Sequence, residues 1–185
     1  MGYLRCDTQH LYGNSVSLKT QKKLLNMKEI QYNISIKSTA NIGELNAKEQ
    51  ELVQRAQNAA NRAYAPYSQF KVGACLLLDN GLMIEGNNQE NASYPCGCCA
   101  ERTALNYANA TYPDAKVSAI AISAFNSQGL VNEPITPCGI CRQALLETEI
   151  KNRQSIRVIM NGQKHTIIAE SASDLLPLAF DDSQL

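Results

Sequence analysis

Histidine is nearly missing from this chain, which has two in 185 residues. His10 and His165 lie far from each other and from the cysteine motifs, so a histidine-ligated metal centre or a Cys–His nucleophile pair has no support. Long apolar runs are also missing: none approaches the ~18 residues that span a bilayer, so no membrane partner is expected. Charge of one sign is not in excess either, with 17 basic and 17 acidic residues. A chain this balanced has no overall field to gather a polynucleotide or an anionic surface, which favours a small neutral ligand and no nucleic-acid partner. The first residues offer no apolar stretch of the signal-peptide kind, so the seven cysteines are expected as reduced thiols in a cytoplasmic setting rather than as disulfides.

What is present in quantity is hydrophobic material, 44% of residues, enough for one compact domain with a single core. Residues 1–27 are basic, contain Ser15 and Ser17, and show no periodicity. They read as a loosely ordered leader or extension, and residues 28–185 as a single domain. Ile30, Tyr32, Ile34 and Ile36 alternate with polar residues as in a half-buried edge strand. From Asn46 to Tyr64, Leu52, Val53, Ala56, Ala59, Ala60 and Ala63 recur at helical spacing, and Pro66 stops the run. Strands are expected over Phe70–Leu78 and Leu82–Glu85, joined by a tight turn in which Asn80-Gly81 supplies positive φ angles. A helix over Cys99–Tyr107, a buried strand over Val117–Ala124 and a helix over Gly139–Glu149 follow. Strands over Ile156–Met160 and His165–Ala169 enclose an Asn161-Gly162 turn, and Asp174–Pro177 reads as a short helical turn. This order predicts an α/β fold, a mixed β-sheet covered by helices.

Chemistry concentrates in Cys99-Ala100-Glu101 and Pro137-Cys138-Gly139-Ile140-Cys141. A ligand, one residue, a glutamate that does not bind metal, and later Pro-Cys-x-x-Cys is the pattern of zinc-dependent nucleobase deaminases. Three protein ligands leave zinc a fourth position for water. Both motifs fall where a loop becomes a helix, so free backbone N–H groups favour thiolates. Three thiolates and Zn²⁺ sum to a charge of minus one, which works against acidifying bound water. Arg102 and the helix N-termini are the available compensation, and Arg102 is expected to tune the metal from behind its ligands. A rival arrangement pairs Cys96-x-x-Cys99 with Cys138-x-x-Cys141 as a structural four-cysteine zinc domain acting as a binding module. It gives Glu101 and Arg102 no role, and its spacing between pairs exceeds that of the usual ribbon.

Around these motifs, Pro66-Tyr67-Ser68, Phe70, Val72-Gly73-Ala74, the run Gly86 to Tyr94, Cys99 to Arg102 and Pro137 to Gln143 closely resemble the small, homotetrameric, all-cysteine cytidine deaminases. The resemblance spans roughly Leu45 to Phe180. It implies the three-layer sandwich of that family, one zinc ion per subunit on Cys99, Cys138 and Cys141, and hydrolytic deamination of cytidine and 2′-deoxycytidine in pyrimidine salvage. Glu101 would carry protons as base and then acid. Asn88 and Glu90 would bind the sugar 3′-hydroxyl, Phe70 would stack on the pyrimidine, and the backbone near Ala100 and Cys138 would read the base edge. Phe180 would enter a neighbouring subunit's site in a homotetramer, the alternative being a tail folded on its own subunit. Gln89, Cys96 and Cys98 depart from what relatives often carry and bear on substrate choice. Deamination of an aminopyrimidine nucleoside antibiotic is a further enzymatic alternative. Cys75 reads as a structural strand residue, and Cys6 falls in the leader.

Overall fold

The computed structural model describes residues 28–185. The expected leader, with Cys6 and His10, lies outside the described residues. A compact unit spans Ile34–Leu185, built on β1 (Ile36–Thr39), α1 (Ala47–Ala60), β2 (Lys71–Leu78), β3 (Met83–Asn87), α2 (Ala100–Thr111), β4 (Val117–Asn126), β5 (Gly129–Leu130), α3 (Gly139–Asn152), β6 (Arg157–Asn161) and β7 (Thr166–Ala169). The strands form one mixed sheet in the order β1-β7-β6-β4-β2-β3, with the two-residue β5 against β4. All pairings are antiparallel except β4 with β6, whose connection contains α3, as a parallel crossover requires.

Helices cover both faces. α1 lays Leu52, Val53 and Ala56 on Cys75, Ala121 and Ile159, while α2 and α3 bring Ala104, Leu105, Ala108 and Leu145 onto Leu76, Ile120, Ile122 and Met160. Alternate residues of each strand feed the two cores, and the result is the expected three-layer α/β sandwich. Asn46 opens α1 through a reciprocal capping box with Glu49. Gly86 lets α2 sit close on β3: a Cβ there would lie 2.5 Å from the Ala100 carbonyl oxygen.

Local expectations are corrected in three places. The first strand begins at Ile36, not Ile30, because β7 supplies partners only from Ile36 opposite Ala169 to Thr39 opposite Thr166. Alternation without a facing strand makes no ladder, and Ile30, Tyr32 and Ile34 stand exposed. The β2–β3 turn takes a positive φ at Gly81 alone (86°). Gly81 N–H donates to the Leu78 carbonyl and Leu78 N–H to that of Leu82, a three-residue connection with a glycine bulge rather than a two-residue mirror turn. Gly162 keeps a negative φ; it is needed because a Cβ would meet Pro134 N at 2.6 Å, and Asn161 belongs to β6.

The end of α3 is tied down by a carboxylate whose role the sequence did not disclose. Buried Glu149 accepts from Ile156 N–H (2.5 Å), Ala172 N–H (2.8 Å), Ser173 N–H (3.0 Å) and the Ser171 hydroxyl (2.9 Å). Glu149→Ala strands buried donors at about 1–3 kcal/mol each, so urea unfolding should show a loss of about 3 kcal/mol. A loss under about 1 kcal/mol would mean that water replaces the carboxylate.

Candidate metal and catalytic site

α2 and α3 each start on a cysteine. Cys99 and Cys138 occupy the N-cap positions in extended backbone, and neither side chain caps its helix. N-caps favour Ser, Thr, Asp or Asn, so two thiols there are a local misfit that function accounts for. Cys141 lies one turn inside α3, fully buried, on the same side as Cys138 because residues three apart share a helix face. The Cys99 and Cys138 sulfurs are 3.8 Å apart and those of Cys138 and Cys141 are 3.5 Å apart. All three lie within 4.8 Å of one another. Among the described residues no other group of possible ligands meets this geometry. Cys96 sits exposed in a short turn at Tyr94–Cys96, and it and the half-buried Cys98 both lie outside the group, so the four-thiol arrangement does not form. Cys75 is a buried core thiol, pushed up to about 12 mainly by desolvation. His165 faces Glu133 at 3.5 Å and takes no part in the thiol group.

The electrostatics around the sulfurs are those of a metal pocket. Hydrogen bonding from Cys141 is the main cause holding the Cys99 thiol down to about 5, with Cys138 and Arg102 adding to it, while hydrogen bonding with Cys99, and then burial, push Cys141 up. Arg102 gives one N–H to the Gly97 carbonyl at 3.3 Å. Its buried Nε has no hydrogen-bond partner among the described residues. Arg102 acts on the Cys99 and Cys141 thiols, and a buried guanidinium nitrogen left over on it fits a negatively charged thiolate–metal group. Glu101, in the first turn of α2, is 4% exposed, and burial is the main cause raising its carboxyl above the ordinary range.

A second layer of contacts holds the loops, and the sequence reading assigned it no roles. Arg142 donates to the Pro137 carbonyl (2.8 Å), the Thr136 hydroxyl (3.0 Å) and the Leu175 carbonyl (3.0 Å), fixing the approach to Cys138. Gln89 and Cys98 exchange two backbone hydrogen bonds of 2.9 Å, and Tyr64 pairs with Asn88 and Glu90. The segment from Asn88 to Glu90 is thereby bridged on both sides at Gln89, beside the loop that enters Cys99. Arg142 and Ser68 sat inside recognised motifs; that membership was the only signal available for them.

The expected substrate residues are placed as follows. Asn88 gives its side-chain N–H to the Phe70 carbonyl (2.9 Å) and accepts from Val72 N–H (2.7 Å). Glu90 accepts from Tyr67 N–H (2.9 Å) and Ser68 N–H (3.3 Å) through Oε2, and from the Ser68 hydroxyl through Oε1. Phe70 is half-buried and belongs to neither core. Ala100 is the buried first residue of α2. Phe180 is 60% exposed, and its backbone carbonyl accepts from the Gln143 side chain at 2.8 Å.

Residues 46–156 match the family model described as the cytidine and deoxycytidylate deaminase zinc-binding region. The chain belongs to this family. A cytidine deaminase of Halalkalibacterium halodurans is 39% identical over 131 residues, 71% of this chain and 92% of that protein. A probable cytidine deaminase of Dictyostelium discoideum is 41% identical over 137 residues, 74% of this chain and 86% of that one. Among solved structures, a cytidine deaminase from Burkholderia pseudomallei superposes with a TM-score of 0.60 at 40% identity, over 70% of this chain and 97% of that one. One from Mycobacterium tuberculosis gives 0.58 at 32%, over 74% and 99%. The fold and the zinc-binding character of the family agree with the sandwich and the three-thiol group described above.

Proposed function

We propose that this protein is a zinc-dependent cytidine deaminase, converting cytidine or 2′-deoxycytidine and water to uridine or 2′-deoxyuridine and ammonia. The observation that carries this reading is the convergence of three thiols at two helix N-termini beside the buried carboxylate of Glu101. Cys99, Cys138 and Cys141 would hold the metal, with Arg102 offsetting the surplus negative charge. Zinc, when bound there, polarises a water molecule so that it can attack carbon at neutral pH. Glu101 would take one proton from that water and deliver it to N3 of the ring as C4 becomes tetrahedral, then take the second from the new C4 hydroxyl and give it to the amine that leaves as ammonia.

The chain's own contacts support binding of a nucleoside. Asn88 retains one free N–H and Glu90 a free acceptor site after their internal bonds, by the donor and acceptor capacity of amide and carboxylate. A hydroxyl that accepts from the first and donates to the second satisfies both, which suits the sugar 3′-hydroxyl. Phe70 has a face not consumed by core packing and serves to stack on the base. Ala100 N–H, one of the unbonded donors of a helix start, is available with the backbone at Cys138 for the base edge. Exposed Tyr67, Tyr94, Ile140 and Phe180 all flank site segments and are a surface suited to covering by further copies. We take the active form as a homotetramer in which Phe180 enters a neighbour's site. A salvage role in the cytoplasm is the setting that suits reduced thiols and a free nucleoside substrate. Residues 28–185 act as the single deaminase domain, with residues 1–27 as its leader or extension.

The test is ultraviolet absorbance of cytidine with zinc-loaded protein. Conversion to uridine is expected. A folded, zinc-loaded protein that leaves cytidine and deoxycytidine unchanged would overturn the reading in favour of an antibiotic nucleoside or a binding role.

A further inference from the structure

The turn from Ala65 to Gln69 places one small side chain between the two residue pairs that would hold sugar and base. Ser68 Oγ donates to Glu90 Oε1 and accepts from Phe70 N–H at 3.0 Å. Gln69 takes a left-handed φ of 55°, and its N–H closes on the Ala65 carbonyl at 3.1 Å, which turns the chain so that Phe70 N–H returns to Ser68. The Phe70 carbonyl is meanwhile held by Asn88. Both backbone groups of Phe70 are therefore committed, one to Ser68 and one to Asn88.

Glu90 has about four acceptor sites on its two oxygens. Tyr67 N–H and Ser68 N–H use those of Oε2, and the Ser68 hydroxyl uses one on Oε1. One site on Oε1 remains. Two backbone donors hold Oε2, and the Ser68 hydroxyl is the contact on Oε1 itself, next to the remaining site, so it has the most direct influence on that site's direction. These bonds, the Ser68 hydroxyl first, also hold the Glu90 carboxyl below its usual range, consistent with an anionic acceptor.

We infer that Ser68 is a positioning residue for sugar recognition: its hydroxyl orients Glu90 so that the remaining lone pair meets a sugar hydroxyl. This rests on the reading that Glu90 binds that hydroxyl. Interactions aimed at one substrate hydroxyl show up as discrimination against the analogue that lacks it. The readout is the ratio of kcat/KM for cytidine to kcat/KM for 3′-deoxycytidine, measured at equal zinc content.

Wild type should prefer cytidine by about a hundredfold, and Ser68→Ala should reduce the preference to about tenfold through the cytidine value alone. The 3′-deoxycytidine value should stay within about twofold, because Asn88 still holds Phe70 and water can take the freed N–H. Ser68→Thr, which keeps the hydroxyl, should restore the ratio. Equal losses on both substrates, or an unchanged ratio in Ser68→Ala, would overturn the positioning role while leaving Glu90's role intact. A wild-type ratio near one would instead remove the sugar-binding reading of Glu90, and the role of Ser68 with it.

Discussion

Glu101→Gln is expected to lower kcat for cytidine by about 10³–10⁴-fold, the upper range of what a positioned acid–base group supplies. The amide matches the carboxylate in size, so the buried pocket at the start of α2 stays filled. It cannot accept a proton from water or return one to the ring and to ammonia. Zinc content should not change, because the three thiols are the proposed ligands and Glu101 is not among them. The replacement does remove a first-turn acidic residue, worth up to about 2 kcal/mol to the helix at a buried site, less than the ~5–15 kcal/mol stability usual for a domain, so the folded state survives. The experiment reads conversion, zinc per chain and far-ultraviolet circular dichroism on the same samples. A loss of less than about tenfold would show that another group moves the protons. Loss of zinc alongside activity would make Glu101 a ligand and require a different mechanism.

Cys138→Ala should reduce zinc from one per chain to almost none and remove measurable turnover, while the sandwich stays folded. Of the three thiols, Cys138 is the exposed one, it belongs to neither core, and it makes no side-chain capping bond to α3. Its removal therefore costs ligation without opening a cavity. A metal that binds only the native state adds stability in proportion to its concentration over its dissociation constant. The urea midpoint of Cys138→Ala should consequently fall to that of chelator-treated wild type, and zinc should raise only the wild-type value. A variant that still takes up one zinc per chain and turns over cytidine would exclude Cys138 from the site. Cys141→Ala makes a harsher comparison, since that sulfur is fully buried in the first turn of α3 and its loss adds a packing defect.

Periodicity located the helices and central strands because burial repeats every 3.6 or 2 residues, and α1, β2 and β4 emerge near where their apolar residues place them. It failed at Ile30–Ile34, where alternation is present and a partner strand is not. Turn chemistry was read correctly at Gly81 for one residue and wrongly for Asn80, since Asn-Gly suits a glycine bulge as readily as a mirror turn. Glu149 and Ser68 could not be given roles from the sequence, because their partners at Ala172 and Glu90 are joined to them only through the folded chain.

Local spacing sets the thiols and the carboxylate where a helix start converts sequence into geometry, since Cys138 and Cys141 share a face whatever surrounds them. The tertiary structure decided which thiols meet. Cys99 and Cys138 are 39 positions apart, and they approach because Gly86 seats α2 on β3 while the β4–β6 crossover carries α3 alongside. That same packing leaves Cys96 outside the group, which contains three thiols instead of four. Short spacings are set by local backbone geometry, whereas distances between motifs depend on sheet pairing and helix packing that no local pattern encodes.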